Sequence, residues 1–74
     1  MKYKVFNQKA FDEMERYRNE HGISVLEMQK QTGISRIQYK HFIDNHIEII
    51  RDTTQAKIIA FNQAHGLYTG KDKK

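Results

Sequence analysis

The sequence predicts a small all-α domain of four to five helices, with room for one short strand at its N-terminus. Three observations carry this expectation. Apolar residues recur at helical spacing in two stretches: Ala10, Phe11, Met14 and Tyr17 early in the chain, and Ile58, Phe61 and Ala64 late in it. Helix-starting residues, Asn7, Ser24, Ser35 and Asp52, stand ahead of four segments. Gly22, Gly33 and Gly66 fall where a helix must stop in a left-handed turn. Seventy-four residues permit one small domain, whose core is marginal enough that helix caps and self-association carry unusual weight.

Each element can be justified in order. Lys2–Phe6 nearly alternates polar and apolar side chains, which allows a short edge strand. Asn7 is a good N-cap, with Phe6 and Phe11 as a staple pair across it. The first helix should run over 8–20, with Asp12 and Glu13 near its positive end and His21-Gly22 closing it. The second should span 25–31, turning Met28 and either Val25 or Leu26 inward. The third should span 36–43, turning in Tyr39, Phe42 and Ile43, and Asp44-Asn45 should stop it. His46–Arg51 is ambiguous, because Ile47 and Ile49 alternate as in a strand while Ile47 and Ile50 fit a helical turn. Asp52 and Gln55 have the spacing of a capping box, so a last helix should follow over 53–65, with Ile58, Phe61 and either Ala64 or Ile59 inward. Residues 1–6 read as an arm, 7–66 as the domain, and 67–74 as a lysine-rich tail that should be mobile.

The densest signal lies in Ile23–Phe42, ISVLEMQKQTGISRIQYKHF. Ser24 precedes Glu27 by three residues, and Ser35 precedes Gln38 by three, so two capping boxes flank Gly33. Ile23 with Met28 and Ile34 with Tyr39 supply a staple to each. Two short helices joined by a tight glycine turn form a helix-turn-helix, a unit that commonly lays its second helix in the DNA major groove.

On Ser24, Gly33, Ile34 and Ser35, the chain resembles the lambda-repressor-like, Cro-like family of phage and bacterial regulators. The resemblance extends over roughly 11–66. Tyr39 and Phe42 match the apolar positions that the family buries in its recognition helix. The resemblance implies that Ser35, Arg36, Ile37, Lys40 and His41 face the groove. Two departures stand out. Gln29 occupies the place where the family usually has alanine, and the loop after the recognition helix, 44–52, lacks the family's Gly and Pro.

Those positions have chemistry suited to duplex DNA. Arg36 can pair bidentately with guanine, Lys40 can reach guanine or a phosphate, and Ile37 can meet a thymine methyl. Ser35 and the amides it caps can hold a phosphate. Gln29 and Lys30, on the second helix, are candidates for the DNA backbone. Each of these cations is also compatible with an ordinary solvated helix surface. The net charge of +4 does not decide the matter, because the eight Lys/Arg of 7–66 are balanced by eight Asp/Glu and the excess lies at the ends, with Lys71, Lys73 and Lys74 in the tail.

Other chemistries find no constellation. The chain has no cysteine, and its four histidines lack ligand spacing, so no metal site or cofactor is expected. Ser24 and Ser35 are caps without a triad, so no enzyme is expected. The absence of a long apolar run or an apolar leader points to a cytoplasmic protein without a membrane partner. Two readings follow. One is a regulator that reads duplex DNA, often as a homodimer on paired half-sites. The other is an antirepressor or modulator that binds a repressor protein through the same surface. A neutral body, the apolar Ile37 and the isoleucines at 47, 49 and 50 keep the second open.

Overall fold

A computed structural model describes residues 2–70. In chain order the elements are β1 (Tyr3–Val5), α1 (Gln8–Glu20), α2 (Val25–Thr32), α3 (Arg36–Asp44), β2 (Ile49–Arg51) and α4 (Asp52–Ala64). Four helices enclose one core, and the two strands pair antiparallel with Tyr3 opposite Arg51, Lys4 opposite Ile50 and Val5 opposite Ile49. Among the described residues, no helix is long and apolar enough to cross a membrane.

The caps explain where the helices begin. Asn7, Ser24 and Ser35 accept, through their side chains, from the amides of Ala10, Glu27 and Gln38. Each serine therefore forms the forward half of its capping box. The return half is not made by Glu27, whose carboxylate instead accepts from Gln31 Nε2 at 3.3 Å. Asp12 lies beyond the first turn of α1 and is held by Gln8 Nε2 at 2.8 Å, so the expected dipole contribution gives way to a side-chain pair. Gly22, Gly33 and Gly66 all have positive φ, as their places after three helices require.

The core is built from Phe6, Ala10, Phe11, Met14, Met28, Ile34, Tyr39, Phe42, Ile50, Ile58 and Phe61. Phe6, Phe11, Tyr39 and Phe42 form its aromatic centre, with ring centroids 5.3–5.8 Å apart in tilted and edge-on pairs. One expected core position, Ile43, turns out otherwise at 40% exposed. The two open alternatives are resolved: Val25 packs against the core while Leu26 is half exposed, and Ile59 packs inward while Ala64 faces solvent.

Of the ambiguous His46–Arg51 segment, Ile49–Arg51 forms β2, and its buried residue is Ile50 rather than Ile49. Asp52 is not the cap of α4. Arg51 occupies that position in extended conformation without a side-chain cap, and Asp52 is the first helical residue. The Asp52 amide is already satisfied, because it donates to Lys2 O at 2.8 Å as an extension of the strand ladder. Gln55, expected in a capping box, spans elsewhere. Its Nε2 donates to Val5 O at 2.7 Å and its Oε1 accepts from Asn7 N at 3.1 Å. One side chain thus clamps the exit of β1 onto α4.

The boundary of the tail also shifts. Leu67 and Tyr68 pack against the core, and Tyr68 O accepts from Asn62 Nδ2 at 2.7 Å. The same amide group, fully buried, donates to Ala10 O at 2.8 Å, joining α4 to α1. Lys71, Lys73 and Lys74 lie outside the described residues.

Replacing Gln55 with Ala removes both bonds of the clamp. At about 1 kcal/mol each, the loss should be about 2 kcal/mol. Urea unfolding should show this as a lower midpoint with unchanged slope, and the Asn7 amide should exchange faster with solvent.

Candidate nucleic-acid interface

The α2–α3 turn is shaped by side chains that close on the backbone. Thr32 Oγ1 donates to Met28 O at 2.7 Å and accepts from Ile34 N at 3.1 Å, carrying the chain from helix into turn. Gly33, at φ +82°, reverses direction, and its carbonyl accepts from Lys57 Nζ at 3.2 Å. Ile34 then drops into the core with 1% exposure, anchoring the turn from below.

Gln29, the departure from the family pattern, has a structural task here. Its Oε1 accepts from the Arg36 amide at 3.0 Å, bridging α2 to the first residue of α3. With Gln38 N bonded to Ser35 Oγ, two of the first three amides of α3 are occupied. The expected phosphate cradle at this cap is therefore reduced to the Ile37 amide and the Ser35 hydroxyl.

On α3, Tyr39 and Phe42 face the core while Arg36, Ile37, Lys40 and His41 face solvent. These four occupy i, i+1, i+4 and i+5 positions, a single outer stripe of the helix. The structure brings Gln29, Ser35, Arg36 and Ile37 together with Leu26 around a shallow hollow of about 370 Å³. Lys40 and His41 do not line it, and Lys30 remains on the exposed surface of α2 without joining it. The His41 ring is held near the end of α3, with its Nδ1 3.0 Å from Asn45 Nδ2. Leu26 is the site residue that sequence reasoning left undecided. Fixing Met28 inside and Ser24 as cap would have settled it, because Val25 lies one turn back on the buried side and Leu26 does not.

Charge is distributed unevenly over the folded body. On α1, Arg16 bridges Glu13 and Glu20, and Arg18 pairs with Glu15. Among the described residues, Lys30, Arg36 and Lys40 form no ion pair. The arginines of α1 are thus paired, while the cations of α2 and α3 are not.

A partly buried ionic node holds α3 in place behind this surface. Tyr39, fully buried, donates its hydroxyl to Glu15 Oε1 at 2.7 Å. Arg18 Nε donates to the same oxygen at 3.0 Å, and Arg18 Nη1 donates to Ile23 O at 2.9 Å in the link to α2. Burial opposes the Glu15 charge, but the hydrogen bonds from Arg18 and Tyr39 outweigh it and lower its pKa. Burial, and then the bond to Glu15, push the Tyr39 phenol well above its ordinary value.

The chain matches no known family model, no curated protein and no solved structure. Among the described residues, no group of three or more His, Cys, Asp or Glu side chains is placed to hold a metal ion.

The Glu15 node sets an acid dependence. Because its folded pKa lies below the unfolded value near 4.5, its stabilising contribution is fully present above that pH and is lost as pH falls through the folded pKa. Thermal melts from pH 7 down to pH 2 should therefore show a steeper acid decline in the native chain than in Glu15→Gln, which has no carboxylate to titrate there.

Proposed function

We propose that the chain is a helix-turn-helix transcriptional regulator of the kind found in phage genetic switches, reading duplex DNA in the cytoplasm with α3. The observation that carries this reading is the set of unpaired cations on the α2–α3 surface, against the neutralised arginines of α1. The major groove, about 12 Å wide, admits one helix. With α3 in it, Arg36 takes a guanine edge bidentately, Ile37 packs on a thymine methyl, and Lys40 and His41 contact a base or a phosphate. Lys30 reaches the backbone from α2. Gln29 holds the Arg36 amide, so its role is to fix the angle at which α3 enters, with its own Nε2 left to donate outward. The resemblance to Cro-like regulators points the same way.

Exchanging Arg36 and Lys40 together for Ala should weaken binding to a selected operator duplex by at least about 30-fold, taking about 1–3 kcal/mol for each base contact. Circular dichroism of the double variant should match that of the parent. Titration of the labelled chain with duplex should shift the amides of 35–41, and affinity should fall steeply with salt. Unchanged affinity in the double variant would remove α3 as the reading helix.

A second reading is favoured by the hollow itself. Leu26 is 50% exposed and Ile37 81% exposed on its rim, an apolar pair suited to a protein surface. On this reading the chain is an antirepressor whose α2–α3 surface covers a repressor's own DNA-reading face. Leu26→Lys separates the two: co-elution with a candidate repressor on size exclusion should disappear while DNA affinity is retained or raised. Separate elution of the unmodified chain and repressor at micromolar concentration would count against this alternative.

A further inference from the structure

The polar side chains of the α2–α3 surface have been sorted by their internal hydrogen bonds. Arg36 and Lys40 carry donors and no acceptor, and neither is in an ion pair among the described residues. Gln29, Ser35 and His41 can each both donate and accept, and in each the fold consumes the acceptor. Gln29 Oε1 accepts from the Arg36 amide at 3.0 Å, which leaves Nε2 to donate. Ser35 Oγ accepts from the Gln38 amide at 3.1 Å, which leaves its O–H to donate. For His41 the tautomer follows from its neighbour. Asn45 Nδ2 donates to the His41 carbonyl at 3.2 Å, so the nitrogen of that amide is the atom lying 3.0 Å from His41 Nδ1. Nδ1 therefore accepts, and the ring proton sits on Nε2.

The other side-chain acceptors of α2 and α3 are engaged or displaced. Glu27 and Gln31 bond to each other, and Thr32 bonds within its own turn. Gln38 is half-buried on the flank of α3, and Asp44 is the last residue of that helix. The hollow formed by Leu26, Gln29, Ser35, Arg36 and Ile37 thus combines outward donors with two exposed aliphatic side chains.

We infer that α3 selects the keto bases, guanine and thymine, on the strand it faces, and makes no contact that depends on the amino group of adenine or cytosine. The inference rests on the DNA reading above and adds to it which bases are read. In the major groove guanine presents N7 and O6 and thymine presents O4 beside its methyl, whereas adenine and cytosine present amino donors. A donor facing a donor leaves both groups desolvated and unpaired, which is costly. Arg36 takes N7 and O6 of one guanine, and Lys40 takes a further O6 or O4. Gln29 Nε2 meets O4 of a thymine whose methyl is covered by Ile37 and Leu26. A glutamine reads adenine by using its oxygen and nitrogen together. The Gln29 oxygen is already committed to α3, so this glutamine is not an adenine reader. Asp44 does not supply the missing acceptor, because base edges are reached by the N-terminal turns of a recognition helix.

The test starts by enriching binding sites for the native chain from a random duplex pool, then rebuilds the best site with single modified bases. At one guanine or more, 7-deazaguanine, which lacks the N7 acceptor, should weaken binding at least about fivefold. Purine in place of each adenine, and 2-pyrimidinone in place of each cytosine, removes the amino group and should cost less than about fivefold at every position. Arg36→Gln adds the missing acceptor at an exposed position and should move the preference there from guanine to adenine, with an unchanged circular dichroism spectrum. A fivefold or greater loss on removing any amino group, or indifference to 7-deazaguanine at every guanine, would overturn the inference and leave the DNA reading standing. A pool in which no site is enriched would overturn both together.

Discussion

The hydroxyl of Tyr39 is the point on which the rest of the arrangement depends. A tyrosine with no exposed surface must find a partner for its O–H or bear the cost of a buried unpaired donor. Its partner is Glu15 on α1, and Glu15 is acceptable at that depth only because Arg18 pairs with it. Arg18 in turn reaches the Ile23 carbonyl, which leads into α2. Through three side chains, α1 fixes both the start of α2 and the rotation of α3. The outer stripe of α3 is determined by the same rotation, so the exposure of Arg36, Ile37, Lys40 and His41 follows from what is buried behind them. Phe11 and Phe42 pack around the Tyr39 ring and add the apolar part of the constraint.

The helices were legible in the sequence because their signals are local. Asn7, Ser24 and Ser35 each act within three residues of themselves, and Gly22, Gly33 and Gly66 need only their own φ. What the sequence left open depends on partners far along the chain. Ile50 is buried and Ile49 is exposed because β2 pairs with a strand more than 40 residues earlier, and no periodicity within six residues encodes that choice. Asp52 and Gln55 have capping-box spacing, yet β1 claims the Asp52 amide through Lys2 O and the Gln55 side chain through Val5 and Asn7. The local motif lost to a tertiary one. The candidate site divides in the same way. The stripe on α3 could be read from helical phase, whereas the bridge from Gln29 to Arg36 required the turn to be in place.

Composition concealed the electrostatics. A neutral sum over the folded body says nothing about which charges are already paired. Arg16 and Arg18 are spaced three or four residues from glutamates on the same helix, where ion pairs form readily. Lys40 and Asp44 on α3, and Glu27 and Lys30 on α2, have the same spacings, yet neither pair forms, and Glu27 accepts from Gln31 instead. Which pairs close, more than net charge, determines where unpaired cations survive in this fold.

The clamp between Gln55 and the exit of β1 has a consequence for the order of folding. β1 meets its partners, β2 and Gln55, more than 40 residues along the chain. Closing so long a loop costs more chain entropy than forming the turn between α2 and α3, whose ends are separated by three residues. The sheet is the non-local part of this fold, and Gln55 is the side chain that fastens it.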